Sequence, residues 1–189
     1  MVFIDFFLRP RSVSSLADAT PHGKIKENAM KKILTALSVA LISVLVFGSV
    51  ALAAEVRTEY FTLNLPDGWT QPQPTQSNKG AVVAIVQNAN DKTAVSVAVT
   101  PAAFPAKELA EQTLANMKKG GFTTSDPVAS GDSYVAEFSQ GQAKGVSYFS
   151  SNGKVGSVVS ILGSGTDSGK KLLNEHFKAA DPKLFPASF

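Results

Sequence analysis

Cysteine is absent from the 189 residues, which excludes disulfides, thiolate metal sites, a cysteine nucleophile and the lipid-modified cysteine of a lipoprotein anchor. Histidine is scarce, and of the two present only His176 lies beyond residue 53. As a general base it would need a nucleophile and an orienting carboxylate, and no G-x-S-x-G elbow supplies them. Its place one turn after Leu172 and one before Ala180 predicts a half-buried packing role instead. The acidic residues are scattered singly, with no H-x-x-x-H or D-x-D-x-D spacing, so no metal site and no cofactor are expected. A true excess of one charge is missing too. Six of the 18 basic residues and three of the 15 acidic ones precede Ala54, which leaves twelve of each in the remainder. The basic pI therefore belongs to the leader, and with it goes the argument for nucleic acid as a partner.

What is present, first, is an export segment. In "MKKILTALSVALISVLVFGSVALAAE", Met30 to Glu55, Lys31 and Lys32 give a positive end and Ile33 to Phe47 is an uncharged, mostly apolar run. Ala51-Leu52-Ala53 places small residues where a signal peptidase measures them, so the cut is expected between Ala53 and Ala54. The other reading is a retained tether, since the 22 residues from Ile33 to Ala54 carry no charge and are long enough to span a bilayer. Residues 1–29 have no evident role, and the expectation is an over-extended start ahead of a signal peptide at 30–53. Arg9 and Arg11 are split by Pro10 and make no twin-arginine signal. The expected product is a single domain, 54–189, that is periplasmic or secreted and meets the membrane only during export.

Along that domain, "YFTLNLPDGW" alternates at Tyr60 or Phe61, Leu63 and Leu65 and then stops at Pro66-Asp67-Gly68, a turn in which glycine allows a positive φ. "QPQPTQSNKG" reads as an exposed connection. "AVVAIVQNANDKTAVSVAVTP" reads as two strands joined at Asn88 to Asp91. Pro105 suits the first turn of a helix, and Ala106, Leu109, Ala110, Leu114 and Met117 give it one apolar face. Gly120-Gly121 ends it, with Lys118 and Lys119 against the negative end of the dipole. Four more strands are expected in "FTTSDPVASG", "SYVAEFSQ", "AKGVSYFSSNG" and "KVGSVVSIL", with Asn152-Gly153 as the strongest hairpin signal. A last helix is expected from about Asp167 to Ala180, with Leu172, Leu173, His176, Phe177 and Ala180 on one side. Hairpins and two amphipathic helices make an α+β domain: a central antiparallel sheet of about six strands flanked by two main helices, in α/β/α layers.

"SILGSGTDSGKKLL", Ser160 to Leu173, has the look of a phosphate loop, but Ser164, Ser168 and Lys171 stand where the phosphate-binding spacings need glycine or Ser/Thr. Its glycines are read as turn residues, with Thr166, Asp167 or Ser168 capping the helix. The residues left as candidates for binding a partner or ligand are Asp67, Trp69, Tyr134 and Tyr148. Trp69 follows a tight turn, so it is either a lid over the sheet edge or an exposed anchor.

A strand ending in Leu-Pro-x-Gly-Trp (Phe61, Leu63, Leu65, Pro66, Gly68 and Trp69), then a valine-rich hairpin, a helix, further antiparallel strands and a closing helix ending in "DPKLF", resembles the PsbP-like group that includes the DcrB-like bacterial envelope proteins. The resemblance implies an antiparallel sheet with helices on both sides and an accessory or binding role without catalytic residues. The expected function is thus a non-enzymatic accessory protein of the cell envelope that binds a protein partner. The alternative is a small-ligand or lipid carrier with a pocket between sheet and helix near Trp69, Tyr134 and Tyr148.

Overall fold

Valine decides the middle of the chain. Its branched Cβ favours the pleated surface, and the run from residue 81 to 101 forms two long strands, β5 (Ala81–Asn88) and β6 (Thr93–Pro101). The structure, a computed structural model, describes residues 55–189. The export segment, the cut between Ala53 and Ala54, and residues 1–29 lie outside the described residues.

Before that hairpin come β1 (Glu55–Arg57), β2 (Phe61–Asn64), β3 (Trp69–Thr70) and β4 (Gln76–Asn78). After it come helix α1 (Ala106–Lys119), β7 (Thr123–Thr124), β8 (Val128–Ser130), β9 (Ser133–Gln140), β10 (Ala143–Ser151), β11 (Val155–Gly163), helix α2 (Thr166–His176), β12 (Phe177–Ala179) and a 3-10 turn (Pro182–Leu184). The main sheet runs β5-β6-β11-β10-β9, all antiparallel, with β3 and β4 sharing the outer side of β5, and β7 and β8 that of β9. The α+β class is as expected, but the sheet has nine strands rather than about six. The difference lies at the edges, where β3 and β4 are too brief to leave a period in the sequence and the segment expected as one strand in "FTTSDPVASG" forms two, β7 and β8.

A second, three-stranded sheet, β1-β2-β12, stands apart. It corrects the end of the last helix, which stops at His176. Phe177 to Ala179 pair with Leu63 to Phe61, and Phe177 stacks on Phe61 at 5.2 Å. Leu172, Leu173, Phe177 and Ala180 fit helical spacing as drawn, so the switch to strand is a tertiary decision: β2 offers backbone partners and an aromatic surface.

Alternation sorts the sheet into two faces. On one, Val86, Val95, Val97, Val99, Val146, Tyr148, Val159 and Ile161 meet Leu172 and Leu173 of α2, Phe61 and Leu63 of the small sheet, and Leu184 and Phe185. On the other, Ala136, Phe138, Phe149 and Val158 meet Leu109, Ala110, Leu114 and Met117 of α1. Helix α1 ends as its sequence dictates. Gly121 takes φ +87° while the Phe122 N–H donates to Met117 O at 3.0 Å and the Gly121 N–H to Lys118 O at 3.1 Å, and Phe122 packs with Met117 in the same cluster. This is a Schellman end, with its hydrophobic contact.

Candidate functional site

The Pro66–Trp69 turn is closed by the Trp69 N–H donating to Pro66 O at 3.1 Å. Gly68 sits in third position at φ +86°, as a type II turn requires. Asp67 and Gly68 are exposed, and Trp69 is half-buried. Trp69 pairs with Asn88 on the outer side of β5 and packs against the first core cluster while staying partly exposed. It lies at the sheet edge, two residues from the exposed Asp67.

The other two candidates lie elsewhere. Tyr148 is buried in the first cluster, and the loss of water around its hydroxyl pushes its pKa up. It stands on β10, four strand spacings from β3, about 19 Å at the usual spacing between strands. Tyr134 is paired with Phe149 and packs with α1 on the opposite face. Trp69, Tyr134 and Tyr148 therefore do not line one pocket. Parity explains it: β9 and β10 are joined through Gly141-Gln142 with Gln140 opposite Ala143. That register sets Tyr148 against Val135, one residue out of step with Tyr134. The two-residue loop containing Gly141 is the sequence signal that could have separated them.

The glycine-rich stretch before α2 is a packing device. No side chain caps α2; its N-cap is Gly165. A Cβ on Gly165 would lie 2.9 Å from Asp91 O, and one on Gly163 would run into the Lys92 carbonyl. The start of α2 is thus pressed onto the β5–β6 loop, and closeness excludes both a side-chain cap and a larger residue. That corrects the expectation that Thr166, Asp167 or Ser168 caps the helix.

His176 is half-buried at the end of α2, with Nε2 3.8 Å from Glu175 Oε2. The buried serines of the sheet are engaged with one another: Ser147 with Ser160 at 2.8 Å and Ser133 with Ser150 at 2.7 Å, while the Ser157 hydroxyl donates to Leu184 O. Among the described residues no three His, Asp or Glu side chains come close enough together to hold a metal ion.

No protein-family model matches the chain, and no curated protein matches it. A crystal structure from Bacteroides thetaiotaomicron is similar over 65% of this chain, at 11% identity and a TM-score of 0.37. This chain covers 46% of that one. A likeness of that size bears on neither site nor function.

Sequence reasoning missed an aromatic cluster around Tyr148. Phe189 meets the Tyr148 ring edge-on at 5.2 Å and the Phe177 ring at 5.7 Å, and Phe177 meets Phe185 at 4.7 Å. Asn174, exposed on α2, accepts from the Phe189 N–H at 2.9 Å and donates to a main-chain oxygen of Phe189 at 3.2 Å. The signal was the aromatic content of "DPKLFPASF", which no period organises.

Proposed function

We propose that the chain is an exported, non-enzymatic accessory protein of the cell envelope that works by binding a protein partner, with the β3 edge around Asp67 and Trp69 as the contact surface. The observation that carries this reading is the setting of Trp69: a partly exposed ring at the sheet edge that packs against the core, near the exposed Asp67. Aromatic anchors with a polar rim supply most of the energy at protein interfaces. The leader from Met30 to Ala53 supports export, the even charge beyond it disfavours nucleic acid, and the PsbP-like and DcrB-like resemblance agrees with an accessory role.

The test is site-specific photo-crosslinking from position 67 in intact cells. The expected result is one crosslinked polypeptide in the envelope fraction, lost in Trp69→Ala while the fold is retained. Intact mass of the same material should begin at Ala54. No crosslink from position 67, or one indifferent to Trp69→Ala, would remove this surface from the proposal.

A further inference from the structure

The segment after β12 is held at its start and again at Phe189, with an exposed stretch between. Asn152 donates to Asp181 Oδ2 at 2.7 Å, and Leu184 and Phe185 are buried at 1% and 4% exposure. Ala187 and Ser188 then run exposed to Phe189, which is gripped in two ways. Asn174 pairs with both the N–H and a main-chain oxygen of that one residue. Such a contact reads backbone, and any residue other than proline satisfies it. The Tyr148 and Phe177 rings read the side chain through edge-to-face contacts, a geometry that favours an aromatic occupant.

We infer that the slot formed by Tyr148, Phe177 and Asn174 recognises an aromatic residue in an extended segment of a partner polypeptide, and that this residue displaces Phe189 from it. The inference rests on the partner-binding reading above and states the partner's chemistry. Three features carry it. The occupant already in place is a peptide residue, so the slot's shape and hydrogen bonds suit one. Its gripping residue, Asn174, is exposed and within reach of an incoming chain. Displacement leaves Leu184 and Phe185 seated, because Pro186 and the exposed Ala187 and Ser188 separate them from Phe189. The tethered Phe189 competes at the high effective concentration that a three-residue link provides, so an outside peptide is weakened by the inverse of the fraction of time the slot stands open.

The experiment is a titration of the purified protein with a capped peptide, acetyl-Pro-Ala-Ser-Phe-amide, followed by NMR of the Asn174 side-chain amide and the Tyr148 and Phe177 rings. Phe189→Ala should bind it saturably and at least about tenfold more tightly than the native chain. Asn174→Leu in that background should abolish binding, and a peptide with alanine for its phenylalanine should not bind. If Phe189→Ala loses its cooperative unfolding, Phe189→Leu, which keeps an apolar plug without the ring, takes its place with the same expected order. The inference is overturned if the peptide shifts none of these resonances, or if binding ignores either Asn174→Leu or the loss of the phenylalanine. A partner that crosslinks from position 67 while the slot stays silent would sink the slot and leave the partner-binding reading standing.

Discussion

Thr113 lies on the buried side of α1 with 5% of its surface exposed, and its hydroxyl has no hydrogen-bond partner. A buried polar group left unpaired is unfavourable, whereas an apolar group of the same shape is not. Thr113→Val keeps the branched shape, so it should stabilise the fold by about 1 kcal/mol, read as a higher urea midpoint at unchanged slope. Ser147 and Ser160 present the opposite case, a buried pair whose hydroxyls satisfy each other at 2.8 Å. Ser147→Ala strands the Ser160 hydroxyl and should destabilise by about 1 kcal/mol or more. Adding Ser160→Ala should recover part of that loss, so the double variant falls short of the sum of the singles. Additive losses in that cycle would mean the two hydroxyls do not depend on each other.

At the scale of elements, the contact between the end of β11 and the β5–β6 loop can be tested with two glycines. Gly153, in the β10–β11 turn, has φ +84° and open space around it; Gly163 has φ +128° and the Lys92 carbonyl where a Cβ would go. Gly153→Ala should destabilise by about 1–2 kcal/mol, the strain of a left-handed residue. Gly163→Ala adds overpacking against backbone and should reach about 3 kcal/mol or more; equal denaturation midpoints for the two would contradict the close approach. Elements differ in how well the sequence announces them. Helix α1 was legible to the residue because its period, Pro105 and Gly120-Gly121 are all local, and the β5–β6 hairpin was legible because valine and an Asn-to-Asp loop are local too. The edge strands β3 and β4 were not, since two or three residues carry no period, and the strand β12 was not, since its partner β2 lies at the other end of the domain; the segment holding β7 and β8 was read as one strand and forms two. The same limit governs the site. Asp67 and Trp69 share one turn and could be read together, whereas the faces of Tyr134 and Tyr148 depend on a register, and the Phe189 slot on three separate segments.

At the scale of the molecule, the closing segment ties the rest together, since it touches the β10–β11 turn through Asp181, the core through Leu184 and Phe185, and Tyr148 through Phe189. Two titrations report on that closure from opposite ends of the pH scale. The Asn152 side chain, followed by the Lys183 N–H, donates to the Asp181 carboxylate and holds its pKa below the ordinary value of 3.8. The folded state thus favours the charged carboxylate, and that contribution is present at neutral pH and lost as pH falls below about 4. Asn152→Ala should flatten the acid limb of the stability curve. For Tyr148 the sign reverses. Burial raises its pKa above 10.0, so above pH 10 the unfolded chain releases a proton that the folded chain retains. The unfolded state then binds fewer protons, and stability must fall as pH rises. The contribution is complete below pH 10 and disappears as pH climbs through the raised folded value. Tyr60, raised by burial and then by Glu59, acts in the same direction, so the native alkaline slope contains both tyrosines. Tyr148→Phe removes one of them while keeping the ring against Phe189. The difference between the two denaturation curves from pH 9 to 11 should therefore be flat up to about 10 and grow above it. A constant difference across that range would mean that the Tyr148 hydroxyl keeps its water in the folded protein.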